Sequence, residues 1–143
     1  MKTSRNSQLG RSALVLSAGL ASIALASHGL DVLLKAVGLY PGAGQPWSQG
    51  LFACAAVYRT CFGVLGCYLT ARLAPNRPQQ HALLLGVIGT ALAALGAIAT
   101  WNQGPEFGPH WYPISLVLTA LPAALLAAKW STRAKITLVG ANT

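Results

Sequence analysis

Four ionisable side chains stand inside long apolar stretches of this 143-residue chain: His28, Asp31 and Lys35 in the first stretch, and Arg59 in the second. At about 100° per residue, Asp31 lies about 60° and Lys35 about 20° around a helix from His28, so the three share one face. Ser17, Ala21 and Ala24 continue that face, whereas Leu16, Ile23, Leu30, Leu34 and Val37 occupy the opposite one, as lipid contact requires. Around Arg59 the helix face is Phe52, Ala55, Ala56, Phe62, Gly63, Gly66 and Thr70, and its small residues allow close helix approach. Both charged faces are therefore expected to turn inward. At about 1.5 Å per residue Asp31 sits ~10 Å below Gly38 and Arg59 ~15 Å below Gln49, a gap that one long side chain closes. The expected chemistry is an Asp31–Arg59 ion pair with the His28 imidazole at the same level. Lys35 is nearer the headgroups and is free to snorkel. Tyr58 points about 100° away from Arg59 and stays outside the cluster. Such a cluster admits three roles: a lock between two helices, a ligand or ion pocket at Arg59, or a proton relay through His28 and Asp31.

The elements that must position these groups are four apolar stretches, Ser12 to Gly38, Gln49 to Leu73, His81 to Trp101 and Tyr112 to Trp130. Each is near the ~20 residues that cross ~30 Å of hydrocarbon. With 54% apolar and only 8% charged residues in long blocks, the composition excludes a water-soluble core. The formal charge of +8 is set by location more than by sum. Lys2, Arg5 and Arg11 precede the first span, Arg72 and Arg77 separate the second and third, and Lys129, Arg133 and Lys135 follow the fourth. The other two loops carry no Lys or Arg. Because basic residues stay cytoplasmic, the expected fold is an all-α, polytopic membrane protein, a single four-transmembrane-helix bundle with both termini inside. Residues near Ala43 and Gln103 are then outside, and those near Asn76 and Asn142 inside. Tyr40, Trp47, Trp101, Trp111 and Tyr112 fall at outer span ends and Trp130 at an inner one, where amphipathic rings meet headgroups. Ala24-Leu25-Ala26 after a basic N-terminus also fits a signal cleavage site, but the apolar pattern runs on through Leu34, which favours an uncleaved span.

Other chemistry is poorly supported. Cys54, Cys61 and Cys67 all lie in the second span with no C-x-x-C motif, and Cys54 and Cys61 stand ~10 Å apart along one helix. His28, His81 and His110 fall at different depths, which argues against haem ligation. Glu106 and His110 in the proline-rich third connection are two ligands where zinc takes three or four. No catalytic residue, metal or cofactor is expected, and enzyme is the least favoured class. Close-contact ridges are read at Gly86, Thr90 and Ala94, at Gly89, Ala93 and Ala97, and at Ala120, Ala124 and Ala128, with Pro122 inside the fourth span.

Tyr58-Arg59, Ala71-Arg72-Leu73-Ala74-Pro75, His81-Ala82-Leu83 and Pro109-His110-Trp111-Tyr112-Pro113 give the chain a resemblance, over nearly its whole length, to a family of uncharacterised small bacterial inner-membrane proteins with four spans. Its layout also looks like that of the DoxX-like small membrane proteins, in organisation only. The resemblance implies a multi-pass protein of the bacterial cytoplasmic membrane and no particular activity. The expectation is a non-enzymatic accessory or binding protein whose His28, Asp31, Lys35 and Arg59 cluster opens to the outer side. The alternative is a small oligomeric transporter or proton-coupled carrier. Expected partners are the lipid bilayer and further copies of the chain or a larger membrane complex, not nucleic acid.

Overall fold

The computed structural model describes residues 2–42, 45–104 and 107–140, of which 2–7 and 133–140 are described by backbone alone. Glu106, Ala43 and Asn142, and the side chains of Lys2, Arg5, Arg133 and Lys135, lie outside the described residues. Four helices follow one another, α1 (Lys2–Ala36), α2 (Gln49–Leu73), α3 (Pro78–Thr100) and α4 (Trp111–Gly140), and no strand occurs among the described residues. Each covers one of the apolar stretches, and all four are long and apolar enough to cross a membrane. At ~1.5 Å per residue α1 is ~52 Å long, so it runs well beyond a bilayer's hydrocarbon.

Local chemistry sets the helix ends. Gly38, at a left-handed φ of 75°, closes α1, and the amides of Leu39 and Tyr40 turn back to the carbonyl of Leu34. Ser48 caps α2 by accepting from the amide of Leu51 at 3.4 Å. Pro78 opens α3 at a position where its missing N–H costs nothing.

The helices run up and down, with the α1–α2 and α3–α4 connections at one end, called here the hairpin end. The α2–α3 turn, the first part of α1 and the last part of α4 share the other, the terminal end. There Gln79 donates to the Thr132 hydroxyl at 3.0 Å, and the exposed Arg11, Arg72, Arg77 and Lys129 gather. The closest helix pair is α3 with α4, followed by α2 with α4, while α1 rests on α2 and touches α3 only lightly. Gly86 explains the first pairing, since a β-carbon there would run into the methyl of Ala124, which is fully buried.

The core divides into two clusters. Cys67, Ala71, Ala82, Leu85, Ala124, Ala127 and Ala128 fill the terminal half. Phe52, Ala55 and Tyr112, with Trp47, fill the hairpin end. Around them Leu25, Val57, Leu69, Leu84, Leu95, Ile98, Leu118 and Leu125 are exposed on the helix surfaces. Exposed apolar side chains in that number suit a surface that faces lipid.

One expected helix face is corrected. Leu16 and Ile23, read as lipid-facing, pack against the core, and Leu30 and Leu34 are half-buried, whereas Ser17, Ala21, Ala24 and His28 are exposed. Close backbone approach decides the matter. A β-carbon on Gly19 would overlap the Thr70 hydroxyl, and one on Gly66 would overlap Ile23, so α1 crosses α2 at Gly19 and Gly66 with Ile23 as the knob. Gly19 and Ile23 together turn the aliphatic side inward.

Candidate functional site

Asp31 lies about 80° around α1 from Ile23, at the border of the buried face, where it still reaches α2. His28, about 140° from Ile23, and Lys35, about 120° from it, are carried outward. Both are exposed, whereas the Asp31 side chain is 16% exposed. The polar stripe is thus split by the crossing, and Asp31 alone of its three members joins Arg59.

The join is double. Arg59 donates from Nη2 to Asp31 Oδ2 at 2.6 Å, the one ion pair among the described residues, and the Tyr58 hydroxyl donates to Asp31 Oδ1. Each carboxylate oxygen therefore has its own partner, and the two partners are adjacent on α2. Sequence reasoning left Tyr58 out because neighbouring residues diverge by about 100°. Two long side chains that flank a carboxylate on the facing helix nevertheless converge on it, and adjacency to Arg59 was the available signal.

Arg59 also meets an aromatic ring. Its guanidinium carbon lies 5.9 Å from the centre of the Tyr112 ring, a cation–π distance. Tyr112, at the start of α4, is 8% exposed and continues an aromatic chain through Phe52 and Trp47 to Tyr40. Gly108, at φ 94°, makes room for the Phe52 ring in that chain. The rings brace α2, α4 and the α1–α2 connection at one level, which fixes the height of Arg59. His110 does not enter the cluster; it stacks on Trp101 with ring centres 4.4 Å apart.

Arg59 borders two hollows. The first, about 280 Å³, lies toward the terminal end and is lined by residues of all four helices, including Ile23, Ser27, Gly63, Gly89 and Ala120. The second, about 230 Å³, lies toward the hairpin end between α3 and α4, and Arg59, Ala93 and Leu116 line both. His28 lines neither. The polar lining of the first hollow is Arg59, Ser27, Thr60 and Thr119, the last two joined at 3.1 Å between α2 and α4. Thr60 and Thr119 were not singled out from the sequence, where a threonine in an apolar helix carries no distinguishing signal.

Arg59 carries five N–H donors, and its Nη2 contact with Asp31 is the hydrogen bond its side chain makes to a described residue. Its Nε is buried without a partner. The side chain is 34% exposed, so part of the guanidinium faces the hollows. A fixed, incompletely bonded cation beside an apolar space is suited to orienting a molecule by a hydrogen bond. Among the described residues no three His, Cys, Asp or Glu side chains come together to hold a metal ion. Cys54 and Cys61 are exposed and Cys67 is buried, all as free thiols. Comparison with protein-family models, with curated proteins and with solved structures found no match, which leaves the geometry at Arg59 as the ground for a functional reading.

Proposed function

We propose that the chain is a non-enzymatic binding protein of the bacterial cytoplasmic membrane, spanning it four times with both termini inside and taking up a small membrane-dissolved molecule beside Arg59. The observation that carries this reading is the junction of the braced Asp31, Tyr58 and Arg59 cluster with the 280 Å³ hollow. A cluster that served only to lock α1 to α2 has no need of a space next to it, and this one is lined by residues of all four helices with Arg59 among them. The hollow approaches the range of about 300–1,000 Å³ usual for small-molecule sites. The basic residues at the terminal end support the orientation. Association with a second copy or a larger membrane complex is supported by α1, of whose apolar window only 6% is buried and which leaves His28 exposed at a depth where lipid solvates imidazole poorly.

The test is chemical. Wild-type protein purified from its membrane and extracted with organic solvent should release a small lipophile, identified by mass spectrometry, that is depleted in Gly89→Leu. Gly89 lines the hollow and has nothing within 4 Å of an added β-carbon, so a leucine side chain there starts from open space and should occupy the hollow. Identical extracts from the two proteins would sink the binding reading.

A further inference from the structure

Charge balance at Arg59 narrows what the hollow accepts, given the binding role proposed above. Arg59 and Asp31 already neutralise one another, and Tyr58 adds a neutral hydroxyl. An anionic ligand would bring a second negative charge to a single guanidinium, leaving one charge without compensation among apolar walls, at a cost of several kcal/mol. A cation would face the guanidinium directly. Only an uncharged head leaves the pair balanced.

The hydrogen-bonding inventory fixes the polarity of that head. Thr119 gives its proton to the carbonyl of Ser115 at 2.8 Å. Thr60 gives its own to the carbonyl of Ala56 at 2.8 Å or to Thr119 at 3.1 Å. Both hydroxyl protons are thus spent within the protein, and the spare donors at the hollow are the N–H groups of Arg59 and the hydroxyl of Ser27, which has no hydrogen bond to a described residue. The complementary group on a ligand is an acceptor.

The rest of the wall is hydrocarbon or bare backbone, with Gly63, Gly86, Gly89 and Ala120 opening the space and Leu20, Leu85 and Leu92 bounding it. α1 touches α3 only lightly, and residues of both helices line the hollow, which gives a way in from the surrounding hydrocarbon without passage through water. We infer that the hollow binds an uncharged lipophile with an oxygen acceptor, such as a carbonyl or ester, whose oxygen meets the free N–H groups of Arg59 while its apolar body lies toward the α1–α3 seam.

Tritiated methyl decanoate is the probe, bound at pH 8 to the purified full chain in nanodiscs, with Gly89→Leu discs subtracting partition into lipid. Wild type should show saturable binding, and decanoate and decane should compete at least roughly tenfold less well than the unlabelled ester. The double variant Arg59→Leu with Asp31→Leu keeps the site neutral without the donor, and it should lose the preference for ester over decane. Decanoate competing as well as the ester would overturn the uncharged-ligand inference and leave the binding reading standing. Decane competing equally would overturn recognition of the oxygen. Absence of saturable binding in wild type would overturn the inference too, whereas the binding reading falls only with the extraction experiment.

Discussion

Asp31 is the residue on which the site turns, because both of its oxygens are committed to neighbouring residues of another helix. Removing Arg59 leaves that carboxylate with one partner at an apolar depth. Arg59→Ala should therefore lower stability by on the order of 1–3 kcal/mol, less than the 3–5 of a fully buried pair because the arginine side chain is partly exposed. Arg77→Ala, at an exposed turn, should change it by under ~0.5 kcal/mol. Unfolding midpoints in a denaturing detergent titration check both values. Adding Asp31→Asn to Arg59→Ala should restore part of the loss, since no charge is then stranded; a double variant as unstable as the sum of the two singles would count against coupling. Tyr58→Phe deletes one hydrogen bond to the carboxylate but leaves the ion pair, so its cost should stay near 1.5 kcal/mol and below that of Arg59→Ala in the same titration.

At the scale of elements, the seating of α1 on α2 depends on Gly19 and Gly66 more than on the charges. Gly19→Leu would drive a side chain into Thr70 and Leu85, whereas Gly29, further along α1, has open space around it. The first substitution should cost about 1–3 kcal/mol by overpacking, and Gly29→Leu should be close to neutral. A cysteine pair engineered across the α1–α2 crossing should cross-link less efficiently in Gly19→Leu only. Equal cross-linking in both would separate the crossing from Gly19. This contact also explains what the sequence disclosed and what it concealed. The inward face of α2 was legible because Phe52, Ala55, Gly66 and Thr70, all buried, surround the charge on the small-residue side. That of α1 was not, since its polar stripe and its glycine-centred contact face point different ways and periodicity gives no rule for ranking them. Asp31 and Arg59 were legible as a pair from depth alone. Tyr58 and Tyr112 depend on how far side chains reach between helices, and the hollow depends on Gly63 and Gly89 facing across a gap, which are properties of packing that one helix's spacing does not contain.

For the whole molecule, the two ends differ in charge and the two halves differ in content. If the basic terminal end is cytoplasmic, a cysteine at position 103 in a cysteine-free background should react with an impermeant maleimide in intact cells, and one at position 76 only after permeabilisation; the reverse pattern would invert the topology. The halves bear on transport. Between Arg59 and the terminal end, the core closes on Cys67, Ala71, Ala82, Leu85, Ala124, Ala127 and Ala128, and the buried polar side chains among the described residues are Thr70 and Ser131. Ser131 donates to the carbonyl of Ala128 at 2.8 Å, and Thr70 lies against Gly19 with no partner. Neither titrates near neutral pH, and among the described residues no carboxylate, histidine, lysine or arginine is buried between the Asp31–Arg59 pair and the terminal end. A proton or cation leaving the cluster would cross several helical turns of hydrocarbon wall, where an uncompensated charge costs several kcal/mol even after relaxation. Reconstituted single subunits should therefore leave a pH gradient and a potassium gradient in liposomes as stable as protein-free vesicles do, within assay error, with Asp31→Asn giving the same trace as wild type. A gradient that decays with wild type and holds with Asp31→Asn would show that the carboxylate releases its proton across this plug, and the cluster would then be a relay and not a binding site.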